Sequence, residues 1–149
     1  MEAVILVGIQ GSGKSTFFRQ RLFDTHIRIN LDMLRTRHRE KLLVEACLRA
    51  RQSFAVDNTN PTRQDRARYI PAARAAGFRV VGYYFESNLQ DCRKRNEQRP
   101  DGKVIPFPGL AGAFNRLEIP SMDEGFDAIY HVRVAPGGEF IVEEWSGKT

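Results

Sequence analysis

The sequence predicts an α/β domain, a parallel β-sheet with helices packed on both faces. Three observations predict it. A glycine-rich turn, residues 8–13, follows an apolar run at 4–7 and precedes a helical pattern. Short apolar runs then alternate along the chain with segments of helical periodicity. That is the order of a doubly wound sheet, which takes ligands at the carboxyl ends of its strands. Residues 78–85 form an almost unbroken apolar and β-branched run, as in a strand buried on both faces. A chain of 149 residues suits a single domain with a real core and leaves no room for a second catalytic domain.

The first strand is expected over 2–7 and a helix over 14–23, directly after the turn. An extended piece at 27–31 leads into helical stretches over 32–52, and 53–56 is a second core strand. Residues 62–76 read as one helix with Ala67, Ile70, Ala73 and Ala76 on its apolar face and Gly77 as its stop. After the strand at 78–85, residues 88–98 return to helix. Residues 100–112, rich in Pro and Gly, are the expected mobile segment, within a lid spanning about 95–112. A helix near 110–117 precedes a C-terminal strand pair at 126–134 and 139–145, joined through Pro136-Gly137-Gly138. There is no internal repeat and no low-complexity tract.

The turn itself carries chemistry. Residues 8–16 read Gly-Ile-Gln-Gly-Ser-Gly-Lys-Ser-Thr, a complete G-x-x-x-x-G-K-S/T phosphate-binding loop. A strand that turns through glycines into a helix aims several backbone N–H groups at one point, and the helix N-terminus adds partial positive charge there. Gly8, Gly11 and Gly13 are expected to permit positive φ and a close approach to the ligand. Ser12 and Thr16 complete the nucleotide-binding set. Lys14 is expected to reach the β- and γ-phosphates, and the Ser15 hydroxyl to sit on Mg²⁺. Loop and alternation together specify a nucleotide-binding α/β domain, with ATP as the expected nucleotide.

Charge is unevenly spread. Residues 1–117 hold 21 Lys and Arg against 11 Asp and Glu (+10), and residues 118–149 hold 2 against 7 (−5), which makes the net +5. A basic body suggests a polyanionic partner, although Arg-rich solvated helix faces account for the same composition. No apolar stretch approaches the roughly 20 residues of a membrane-spanning helix, and the N-terminal apolar run is a strand rather than a signal peptide. No membrane partner is expected. Cys47 and Cys92 lack metal-like spacing, so a disulfide-free, metal-free chain in a reducing cytoplasm is the expectation.

Transfer to an alcohol needs a carboxylate to take the hydroxyl proton and cations to offset charge on the moving phosphoryl group. Three segments offer them. In Ile29-Asn30-Leu31-Asp32-Met33-Leu34-Arg35, Asp32 and Arg35 lie one turn apart on one helix face. Asp32 suits a general base and Arg35 an acceptor-phosphate clamp, but position alone favours an N-cap at Asp32 or Asn30. In Val56-Asp57-Asn58-Thr59-Asn60-Pro61, at a strand end, Asp57 suits Mg²⁺ held through water or an acceptor contact, and its neighbours suit turns. In 91–99, Arg95 and Arg99 share a face of a basic helix, as in a lid that closes over a triphosphate.

These segments and the loop resemble the kinase domain of polynucleotide 5′-kinase/3′-phosphatases over nearly the whole chain. The most specific stretches are Asp57-Asn58-Thr59-Asn60-Pro61, Arg66-Ala67-Arg68-Tyr69 and Ala72-Ala73-Arg74-Ala75-Ala76-Gly77, similar to the animal enzymes. Glu124-Gly125-Phe126-Asp127-Ala128-Ile129 is similar to a stretch near their C-terminal end. The Asn30-x-Asp32 and Arg95-Asn96-x-x-Arg99 patterns resemble the phage-type enzyme. The resemblance implies that Asp32 activates a 5′-hydroxyl, Arg35 contacts an acceptor phosphate, and Arg99 reaches the nucleotide phosphates from the lid. It implies a P-loop kinase fold, ATP and Mg²⁺ on the loop, 5′ ends of DNA or RNA as partners, and functional coupling to a separate phosphatase or ligase. Leu31 departs from the pattern, standing where those families usually carry Arg, and no Asp-x-Asp-x-Thr phosphatase signature is present.

Two other readings fit the loop: a kinase for a small alcohol, and a nucleotide-dependent module that hydrolyses ATP without transfer. The combination of Asp32, Asp57 and Arg99 argues against the second. His26, His38 and His131 form no ligand spacing and read as structural or exposed. Trp145 and the aromatic run at 83–85 read as core. Phe107 suits either a stack on adenine or an anchor for the lid segment.

Overall fold

A computed structural model describes residues 1–86, 88–100 and 103–145. Its centre is a six-stranded sheet in the order β2-β3-β1-β4-β5-β6, comprising β1 (Glu2–Val7), β2 (Ile27–Ile29), β3 (Phe54–Val56), β4 (Arg79–Phe85), β5 (Ala128–Val134) and β6 (Phe140–Glu144). The first five are parallel, and β6 returns antiparallel to β5 through a turn closed by Ala135 and Glu139. This is the parallel sheet that the loop and the alternation predict, in the P-loop kinase fold that the resemblance implies.

Period-two alternation in β1 divides the core. Ala3, Ile5 and Val7 point to one face, where they meet Val44 and Cys47 of α3 (Arg37–Ala50) and Ile70 and Ala73 of α5 (Ile70–Ala75). Val4 and Leu6 point to the other, against Phe17 and Phe18 of α1 (Lys14–Arg21). All five β1 residues 3–7 are wholly buried. β1 and β3 are neighbours whose outgoing helices lie on opposite faces, so a crevice opens at their carboxyl ends, where a doubly wound sheet takes its ligand.

Two helical expectations, at 62–76 and near 110–117, are corrected. The helical stretches expected over 32–52 are two helices, α2 (Leu31–Leu34) and α3, separated by Arg35 in a left-handed conformation (φ 76°). The Thr36 side chain caps α3 by accepting from the Arg39 amide at 3.1 Å. Residues 62–76 are also two helices, α4 (Arg63–Arg66) and α5. Pro71 has no N–H for the Ala67 carbonyl, so the ladder stops and restarts with Pro71 in the first turn, where the missing donor costs nothing. The last helix, α7 (Phe107–Arg116), starts three residues early and takes up much of the Pro/Gly-rich stretch, with Pro108 in its first turn. Asp101 and Gly102, within the expected lid, lie outside the described residues.

α7 packs against α6 (Leu89–Glu97) and onto the loop after β1, burying Ile9, Cys92, Leu110 and Ala113 as a third cluster. The buried Asn96 side chain closes this helical hairpin. Its Nδ2 donates to the Ile105 carbonyl at 2.7 Å, and its Oδ1 accepts from the Ile105 amide at 3.1 Å. Phe107 carries the Arg93 guanidinium 4.4 Å above its ring, which anchors α7 to α6. Among the described residues no helix is long and apolar enough to cross a membrane.

Candidate functional site

The loop between β1 and α1 is held from three sides. The Gly8 amide donates to the Thr59 carbonyl at 3.0 Å, which ties its start to the chain after β3. Ile9 plugs into the α6–α7 cluster. Arg95 Nη1 donates to the Gly11 carbonyl at 2.5 Å. Gly11 and Gly13 have φ of 82° and 103°, as expected, whereas Gly8 does not share this conformation. Gly8 is needed for space: a Cβ there would press on Ser12 Oγ and Phe85 Cβ.

Gly13 is the N-cap of α1, and no side chain caps that end. The first-turn amides therefore face the loop's concavity with the positive end of the helix behind them. Two polar atoms of the loop, Gln10 Oε1 and Ser12 Oγ, are buried without a hydrogen-bond partner among the described residues. Buried polar atoms are rarely left so. A loop of oriented amides with an orphaned hydroxyl fits an anion such as a phosphate chain. Thr16 lies on the exposed side, its hydroxyl 3.3 Å from Arg19 Nη2.

The Lys14 ammonium is folded back onto the loop, donating to the carbonyls of Gly8 at 2.6 Å and Ile9 at 2.9 Å. Burial pushes its pKa down to about 8, against the opposing pull of the Asp57 carboxylate. The remaining charges that bear on it include Arg99 and Asp32. The fold thus gathers into one field the lysine of the loop, the acid of β3, the acid of α2 and an arginine beyond α6. Those four residues are 14, 57, 32 and 99 in a chain where none is a sequence neighbour of another.

Asp57, at the end of β3, has a side chain only 1% exposed. Its Oδ2 accepts from Ser15 Oγ at 2.9 Å and from Arg28 Nε at 2.8 Å, while Arg28 Nη2 donates to Ser15 Oγ at 3.2 Å. Sequence reasoning passed over Arg28. The signal was present: in an extended strand, residues two apart share a face, and Arg28 and Asn30 both turn toward Asp57. Asn30 Nδ2 donates to the Asp57 carbonyl at 2.7 Å. A carboxylate and a hydroxyl make a hard-oxygen donor pair suited to Mg²⁺, which commonly takes one or two protein oxygens plus substrate phosphates.

The capping alternatives at α2 are separated. Asn30 is the N-cap, its Oδ1 accepting from the Met33 amide at 2.9 Å. Asp32 sits exposed in the first turn, and its side chain makes no hydrogen bond or ion pair among the described residues. Arg35 ends the same turn, exposed, and its side chain is likewise unpaired among them.

The neighbours of Asp57 are structural. Asn58 accepts from the Leu31 amide at 2.8 Å and donates to Glu40 at 2.9 Å, joining β3 to α2 and α3. Buried Glu40 also accepts from the Tyr69 hydroxyl, whose pKa is pushed up to about 12 by burial and by that carboxylate. Asn60 donates to the Leu6 carbonyl at 2.7 Å across to β1. His26 pairs with Glu2, His131 stacks on Trp145, and His38 is exposed, so all three lie outside the crevice network described above. Trp145 and Tyr84 pack against the core face that holds α3 and α5.

The six-stranded sheet and its loop define a P-loop domain of the kinase type. The AAA domain family (AAA_33) matches residues 4–108, and the chain belongs to that family. The bifunctional polynucleotide phosphatase/kinase of Schizosaccharomyces pombe is 30% identical over 136 residues, covering 88% of this chain and 33% of the relative. The chain therefore spans about a third of that relative's length. Among solved structures, Kti12 of Chaetomium thermophilum, in complex with ADP-AlF3, superposes with a TM-score of 0.68 at 16% identity over 88% of each chain. A gluconokinase from Sinorhizobium meliloti superposes with a TM-score of 0.62 at 19% identity over 90% of this chain and 83% of its own. At these identities the structural likenesses establish the fold.

Proposed function

We propose that this chain is an ATP-dependent kinase that transfers a γ-phosphoryl group to the 5′-hydroxyl end of DNA or RNA. The observation that carries the reading is Asp32. Asn30 relieves it of the capping role, and it stands exposed and close enough to bear on the Lys14 charge. A pure nucleotide switch has no use for a second acid on the acceptor side of the loop. The S. pombe relative, named as a polynucleotide phosphatase/kinase, supports a nucleic-acid acceptor over a small alcohol.

In this reading the loop amides and Ser12 bind the phosphates of ATP, and Lys14 exchanges the Gly8 and Ile9 carbonyls for β- and γ-phosphate oxygens. Ser15 and, through water, Asp57 would hold Mg²⁺, which when bound neutralises phosphate charge. Arg99, with Arg95 behind it, offsets the charge that develops on the transferred group. Asp32 takes the proton of the 5′-hydroxyl, and Arg35, one turn on, holds the adjoining phosphate of the strand. The basic residues of 1–117 supply salt-dependent affinity for the rest of the strand. The same reading makes the protein a cytoplasmic nucleic-acid repair enzyme, coupled in function to a phosphatase or ligase outside these 149 residues.

The test is transfer of label from γ-labelled ATP to a 5′-hydroxyl oligonucleotide with Mg²⁺, beside the 5′-phosphorylated control. Label on the hydroxyl end alone is the expected result. Bound ATP with no labelled oligonucleotide overturns the nucleic-acid acceptor and directs the search to small alcohols.

A further inference from the structure

Arg28 stands where a cation belongs. Its guanidinium spans the two oxygens proposed to hold a divalent ion, donating from Nε to Asp57 Oδ2 at 2.8 Å and from Nη2 to Ser15 Oγ at 3.2 Å. With the Ser15–Asp57 bond at 2.9 Å, the three groups form a closed triangle. A carboxylate as buried as Asp57 requires a positive partner, because an unpaired buried charge is strongly penalised. Without the ion, Arg28 is that partner.

The arrangement is asymmetric. Asp57 is 1% exposed and tied through its backbone to Asn30, whereas the Arg28 side chain is 33% exposed and β2 is an edge strand. The guanidinium can withdraw toward solvent on its flexible stem, and the carboxylate cannot follow. A divalent ion seated against the same oxygens would meet an uncompensated positive charge at close range.

We propose that Arg28 is the resident counter-cation of the Asp57–Ser15 site and exchanges places with the divalent cation that enters with the nucleotide. The inference rests on the proposed cation site and adds to it a gate. Arg28 keeps the acid neutralised and the hydroxyl oriented before loading, and it weakens capture of a lone metal ion, so that tight binding awaits the phosphates.

The experiment uses Mn²⁺ as the probe, with the free ion counted by its EPR signal, on the full chain with and without ADP. Arg28→Gln, which keeps hydrogen-bonding capacity and loses the charge, is expected to bind Mn²⁺ roughly tenfold or more tightly than wild type in the absence of ADP. Equal, saturable binding by both proteins overturns the exchange and leaves the cation site standing. No saturable Mn²⁺ binding by either protein with ADP bound overturns both. A second measurement needs no foldable variant of altered charge: the Arg28 Nε–H resonance of wild type, assigned through Arg28→Lys. It is expected to shift and to exchange faster with water once Mg²⁺ and ADP are added. An unchanged resonance at saturation overturns the proposal.

Discussion

Arg95 Nη1 donates to the Gly11 carbonyl at 2.5 Å, so the basic helix grips the tip of the phosphate-binding loop across 84 residues of sequence. The same helix closes on Gly11 from another direction. A Cβ there would run into the backbone carbonyl of Cys92, and the position already has φ of 82°. Gly11→Ala is expected to force loop and helix apart. Left-handed strain alone costs about 1–2 kcal/mol, and the displaced amides should weaken ATP binding about tenfold or more. Calorimetric titration with ATP beside a thermal melt checks this, and wild-type affinity would show that the loop absorbs the side chain.

Lys14 makes nucleotide binding a proton-linked event. Its pKa of about 8 in the free protein reflects burial, and phosphate oxygens beside the ammonium would raise it. Binding ATP near pH 9 should therefore take up a proton, falling toward zero uptake by about pH 6.5, where Lys14 is already charged. Titrations in buffers of different ionisation heat read this directly. The stability linkage has the same origin. Between about 8 and the unfolded value of 10.5 the unfolded chain holds more protons at this lysine, so its contribution makes the free protein more stable as pH rises through that window.

Asp32→Asn is expected to keep ATP affinity within about twofold and to lower transfer by two orders of magnitude or more, in line with loss of a general base. Because Asn30 rather than Asp32 caps α2, the variant should melt with wild type. Asn30→Ala provides the contrast. It removes a cap worth roughly 1 kcal/mol together with the bond to Asp57, and should lower stability as well as turnover. Near-normal transfer by Asp32→Asn would remove Asp32 from the chemistry.

Arg66 is wholly buried and meets Glu124 through two bonds, at 2.7 Å and 3.0 Å, while a third joins it to the Asn60 carbonyl. Arg66→Ala leaves a buried carboxylate without its cation and should cost about 3–5 kcal/mol in urea unfolding. The double variant Arg66→Met with Glu124→Leu should recover much of that loss, because two apolar groups of similar size leave no stranded charge. A single variant with unchanged stability would mean that the pair is dispensable.

The fold was largely legible because its signals are local. The apolar runs at 4–7 and 78–85 and the glycines of residues 8–13 each announce themselves within a few residues. Pro71 also marked the break between α4 and α5, since a proline lacks the donor that the ladder needs. The helical periodicity on either side outweighed it in a linear reading. The candidate site was legible in its loop and its acids but not in Arg28, which the reading along the chain took only as part of a basic body. Asn96, too, was visible only as part of a motif, whereas in the fold it bridges the α6–α7 hairpin.

The sequence by itself determined that a phosphate-binding loop joins a buried strand to a helix, that the sheet is mostly parallel, and which acids and arginines are available. These follow from composition, period and spacing over short distances. Only the tertiary structure decided which of Asn30 and Asp32 caps α2. It also set the strand order that brings Asp57 beside the loop, and it gave the carboxylate an arginine from the edge strand β2 as its partner. Those outcomes depend on contacts between residues 27, 42 and 29 apart. No local propensity encodes such contacts. Burial of both sheet faces selects the arrangement that makes them.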